Sequence, residues 1–70
     1  MNTIKDLRIE AGLTIHELSN IANVSTSSIS RIEAGKVPVR RLVATRVLKA
    51  LNQALGKSFT LDDIQINIVD

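Results

Sequence analysis

Residues 14–36 read TIHELSNIANVSTSSISRIEAGK, and this stretch decides the fold. Thr14 with Glu17 three residues on is a capping box, in which hydroxyl and carboxylate each accept from an orphaned backbone N–H at a helix start. Ile15, Leu18 and Ala22 follow at helical spacing. Asn23 ends that helix, because asparagine tolerates the left-handed conformation that most residues with a Cβ avoid. Ser25 caps the next helix, and Val24 and Ile29 stand at the spacing of a hydrophobic staple. Gly35 closes it. The stretch predicts two short amphipathic helices, back to back across a tight turn.

The second of these helices has an unusual outer face. With Ile29 at the centre of its buried side and about 100° per residue, Ile32 and Glu33 fall near Ile29. Ser27, Ser30, Arg31 and Ala34 fall opposite, with Thr26 at the boundary. A merely solvated face tends to carry long Glu and Lys residues, which favour helix. Serine and threonine are poorer interior residues because they compete for backbone hydrogen bonds. A small, polar, basic face of this kind suits close approach to a surface, and a helix of this size fits the major groove of DNA. Arg31 is the first candidate for a base contact, since a guanidinium forks onto guanine O6 and N7. Thr26, Ser27 and Ser30 are further base-contact candidates, and their hydroxyls discriminate less.

Outward from this core, Ile4, Leu7 and Ala11 predict a first helix over about residues 2–11, capped by Asn2 or Thr3 and stopped by Gly12. A fourth helix is expected from about Arg40 to Leu55, with Leu42, Val43, Val47, Leu51, Ala54 and Leu55 on or near its apolar face and Gly56 as its stop. Thr60 and Asp63 suit one further helical turn. Residues 64–68 alternate Ile-Gln-Ile-Asn-Ile, a strand pattern.

Seventy residues make one domain, 1–70, with a modest core that favours self-association. Phe59 is the single aromatic residue, so the core is aliphatic. With no cysteine there is neither a disulfide nor a thiolate metal site, which fits a reducing cytoplasm. No apolar run reaches the roughly 18 residues of a membrane span, and no signal-peptide pattern opens the chain. The net charge of +2 is unevenly spread. Arg31, Lys36, Arg40, Arg41, Arg46 and Lys49 face one acid, Glu33, in residues 31–49, whereas residues 60–70 hold three acids and no base. A basic block around one motif is the footprint of a polyanion site.

The segment resembles the helix-turn-helix of the lambda-repressor-like, or Cro/Xre, family, and the resemblance spans roughly residues 2–55. It implies a compact all-α domain of four or five helices, with the helix-turn-helix at about 14–34 and a short C-terminal strand added here. It also implies that Thr26, Ser27 and Arg31 face bases, and that Arg8 and Glu33 form an ion pair tying the first helix to the third. Lys36 stands where relatives place a phosphate-binding residue. Arg40 and Arg41 open the fourth helix, where the macrodipole disfavours positive charge, so an external anion is expected there. Thr14, His16 and Ser25 complete the phosphate-contact set. Three positions depart from the family pattern: Ile15 replaces the usual glutamine, Ser19 an alanine and Asn23 a glycine.

Nothing assembles into a catalytic constellation, a metal site or a cofactor site: there is one histidine, and Asp62-Asp63 suits a helix start better than a cation. The expected function is sequence-specific binding of double-stranded DNA as a transcriptional regulator, a repressor on a palindromic operator. The expected active species is a homodimer joined through residues 57–70 and the end of the fourth helix, with Leu55, Phe59, Ile64, Ile66 and Ile68 as interface candidates. The tail either pairs with its symmetry mate as a ribbon or packs on its own chain. An alternative remains open, an antitoxin or interaction module that uses the same fold to bind a protein such as a toxin.

Overall fold

Hydroxyls cap the first three helices of this chain. In a computed structural model that describes residues 2–70, Thr3 caps α1 (Ile4–Glu10) and Thr14 caps α2 (Ile15–Ala22), each in a full capping box, with Asp6 and Glu17 respectively. Ser25 caps α3 (Thr26–Ala34), its Oγ accepting from the Ser28 N–H at 3.1 Å. The α2–α3 turn closes on Asn23 at φ 57°, ψ 46°, the left-handed conformation that its side chain makes tolerable. Gly35, at φ 68°, reverses the chain after α3. A short strand β1 (Val39–Arg40) leads directly into α4 (Arg41–Leu55), and a 3-10 turn (Leu61–Asp63) precedes strand β2 (Ile68–Val69).

The α4 stripe is Ala44, Val47, Leu48 and Leu51, all buried, with Leu55 half-buried one turn beyond. This stripe corrects two expectations. Leu42 is 63% exposed, because it lies two residues before Ala44 and so faces away from the stripe; Ala54 is exposed as well. α2 packs mainly on α4 and α3, and Ile4, Leu7, Leu18 and Ile29 close the aliphatic centre. Ser19 tolerates burial because its Oγ donates to the His16 carbonyl at 2.8 Å. Ile15 packs partly against the core, consistent with its apolar character.

The tail packs on its own chain. Gln65 donates to the Asn2 carbonyl at 2.8 Å, and Val39 donates to Asn67 at 2.8 Å. β2 runs parallel to β1, with Val39 opposite Ile68 and Arg40 opposite Val69. The alternating pattern over residues 64–68 thus yields a bridge at Ile64 and a strand only at Ile68–Val69. Ile64 is buried in the core of its own chain, which removes it as an interchain contact; Leu55, Phe59, Ile66 and Ile68 are half-buried against the same core. Asn52 fastens the loop before the tail twice: its Nδ2 donates to the Phe59 carbonyl at 2.9 Å, and its Oδ1 accepts from the Phe59 N–H at 3.0 Å.

Candidate nucleic-acid interface

α3 is anchored by apolar residues and oriented by one ion pair. Ile29 is fully buried and Ile32 nearly so, while Ser27, Ser30, Arg31 and Ala34 are exposed and Thr26 is half-buried. Glu33 lies on the inner flank with Arg8. The Arg8 Nε donates to Glu33 Oε2 at 2.6 Å and Nη2 donates to Oε1 at 3.1 Å. The remaining Nη1 donates to the Leu13 carbonyl at 2.9 Å. One guanidinium thereby ties α1, the α1–α2 turn and α3, a geometry that a planar fork serves better than an ammonium. The side chains are only 14% and 8% exposed, and the hydrogen bonds to Glu33 raise the Arg8 pKa above its ordinary value despite partial burial. The Leu13 carbonyl contact is not legible in the sequence, since nothing in the spacing marks a backbone acceptor.

Beside α3 the chain folds a shallow cleft of about 280 Å³, lined by Ser28, Arg31, Pro38, Arg40 and Val43. Arg31 and Arg40 both line the cleft, although they lie nine positions apart in the chain. The rigid Val37-Pro38 segment and the β1 pairing position Arg40, whose N–H-bearing side chain makes no cap contact with α4. Among the described residues only Arg8 and Arg41 form ion pairs, so the charges of Arg31 and Arg40 meet in one cleft without a carboxylate. Two like charges sharing a concavity favour an anion there.

The other basic and polar candidates are less gathered. Lys36 is exposed just after Gly35, and His16 is exposed on the first turn of α2. The Thr14 N–H is taken by Glu17 Oε1 at 2.9 Å, which leaves the Thr14 hydroxyl proton to be given outward. The Ser25 hydroxyl lies 3.0 Å from that of Ser28. Arg41 has an internal partner where an external one was expected: its Nε donates to Asp70 Oδ1 at 2.5 Å, with both side chains exposed. The Arg41 guanidinium holds the Asp70 carboxyl below its ordinary pKa, and Asp70 in turn raises that of Arg41. The acidic tail is visible in the sequence, but its meeting with Arg41 depends on a pairing between segments 29 residues apart.

Four helices in this order, with α2 and α3 joined by a three-residue turn that opens on the left-handed Asn23, are matched by the profile of a helix-turn-helix family over residues 4–61. The chain belongs to the Cro/Xre-type helix-turn-helix family. Within this family, a curated protein of Pyrococcus abyssi (strain GE5 / Orsay), provisionally named as an HTH-type transcriptional regulatory protein, is 41% identical over 54 residues. The match covers 77% of this chain and 17% of that protein, so the helix-turn-helix chain spans about a sixth of its relative's length. No solved structure gives a significant match to it. No described helix is long and apolar enough to cross a membrane.

Proposed function

We propose that this chain binds double-stranded DNA sequence-specifically as a transcriptional regulator, a repressor acting as a homodimer on a palindromic operator. One observation carries the reading: α3 presents Ser27, Ser30 and Arg31 to solvent with no large aliphatic residue of its own exposed, while Arg31 and Arg40 line one adjoining cleft together with the exposed Val37. In this reading α3 enters the major groove and α2 lies across the backbone. Arg31, with Thr26, Ser27 and Ser30, meets base edges. Arg40, Arg41, Lys36, His16, Thr14 and Ser25 meet phosphates. Arg8 and Glu33 hold α3 at a fixed angle and touch no base.

A monomer supports this geometry in size. Its longest Cα extent is 26 Å. Side chains add about 3 Å on each side of a helix, which brings two adjacent copies close to the roughly 34 Å of one duplex turn. The homodimer draws on the exposed parts of Leu55, Phe59, Ile66 and Ile68. Leu42 and Val69, both well exposed at one cleft with Arg41 and Asp70, favour a second reading in which this end of the molecule docks a protein partner.

Fluorescence anisotropy with Arg31→Ala tests the main reading. Loss of a bidentate guanine contact costs about 1–3 kcal/mol on the preferred duplex and much less on random duplex. Equal losses on both rule out base readout by Arg31.

A further inference from the structure

We infer that Asp70 is a built-in competitor for duplex phosphate, latched on Arg41 and displaced when DNA is bound; this rests on the DNA-binding reading above. The register explains the latch. Val39 lies opposite Ile68 and Arg40 opposite Val69 in parallel pairing; Arg41, which opens α4, and Asp70, which follows β2, flank the same end of the paired strands. The Asp70 carboxylate is therefore delivered by the sheet, and its Oδ1 takes the Arg41 Nε–H that a phosphate oxygen would take. A carboxylate and a phosphate ask for the same donors, so the two compete for the Arg41 Nε–H, while the Nη groups stay available and the Asp70 charge offsets that of Arg41.

The neighbouring basic residues make the contrast. Arg40 belongs both to the cleft it shares with Arg31 and to a second cleft lined by Arg41, Leu42, Val69 and Asp70. The charged residues lining the first are both cationic; in the second the positive charge is already met by a carboxylate. Asp62 adds a further negative field at Arg41. A duplex arriving on α3 finds Arg31 and Arg40 outside any ion pair among the described residues, and Arg41 with its Nε–H taken and its charge met by Asp70. Because Asp70 and Arg41 are both exposed, the latch is weak enough for a phosphate to break, and it lowers affinity without abolishing it.

The test is a double-mutant cycle on the whole chain, with Asp70→Asn and Arg41→Ala measured alone and together against one duplex across a salt series. An exposed ion pair corresponds to a gain of about two- to five-fold in duplex affinity for Asp70→Asn. Arg41→Ala then costs more in the Asp70→Asn background than in the native chain, and Asp70→Asn gains nothing once Arg41 is gone. An equal gain from Asp70→Asn with and without Arg41 would show plain repulsion of DNA by the acid and overturn the latch. So would no gain at all in a native chain that binds DNA. Failure of every variant to bind any duplex at low salt would overturn the latch and the DNA-binding reading together.

Discussion

Arg8→Ala strands a carboxylate, and its cost can be worked from the contacts. The substitution removes both guanidinium hydrogen bonds to Glu33 and the one to the Leu13 carbonyl. Glu33, whose side chain is 8% exposed beside Arg8, is left with its charge unpaired. Stranding a partly buried charge costs about 3 kcal/mol, and the orphaned carbonyl adds about 1 kcal/mol. A domain of this size has only about 4–10 kcal/mol of stability, so the loss is a large fraction of the whole. In thermal terms it corresponds to a fall of roughly 16–32 °C in Tm. Glu33→Ala costs less, about 2 kcal/mol, because the long Arg8 side chain can still reach water and Leu13. Combining Arg8→Ala with Glu33→Ala removes the uncompensated charge, so the double variant is more stable than the sum of single losses by about 2 kcal/mol. Urea denaturation followed by far-ultraviolet circular dichroism measures all four corners of the cycle. Additivity within about 0.5 kcal/mol would refute the coupling, and with it the claim that this pair orients α3.

Three further outcomes are expected. Asn52→Ala removes both side-chain bonds to Phe59; it should cost about 2 kcal/mol and speed amide hydrogen exchange in residues 57–69 ahead of the helices, whereas uniform exchange would contradict a local fastening role. Arg40→Ala should weaken binding on all duplex sequences alike and flatten the plot of log affinity against log salt by about 0.9; an unchanged slope would remove Arg40 from the phosphate set. The Asp70 carboxyl should titrate below the ordinary value of about 3.9 because Arg41 stabilises its charged form. A folded-state pKa lowered in this way means that the contact is complete above the ordinary value and is lost as pH falls through the lowered one. Carboxyl NMR of Asp70 follows this directly, and an unshifted titration that Arg41→Ala does not move would show that the pair is absent in solution.

The readable parts of this fold were the local ones. Thr14 with Glu17, Ser25, Asn23 and Gly35 act within a turn of helix, so their sequence neighbours alone decide what they do. The outer face of α3 was also legible, because Ile29 and Ile32 set the helical phase and the phase places Ser27, Ser30 and Arg31. Leu42 misled because α4 holds more aliphatic residues than one buried stripe can take, and only packing chose Ala44, Val47, Leu48 and Leu51. β1 was invisible: two residues carry no period, and their partner lies near the other end of the chain. Arg41 and Asp70 flank the same pairing, so this internal anion was invisible too; the two arginines at a helix start pointed instead to an external one.

Selection of bound sequences from a pool of randomised duplexes tests the central claim most directly, run in parallel for the native chain and Arg31→Ala. The native chain should enrich a two-fold-symmetric motif whose half-sites lie about 10 base pairs apart, and Arg31→Ala should lose the preference at a guanine in each half while the spacing persists. A native pool that stays indistinguishable from its input would contradict the account at its root.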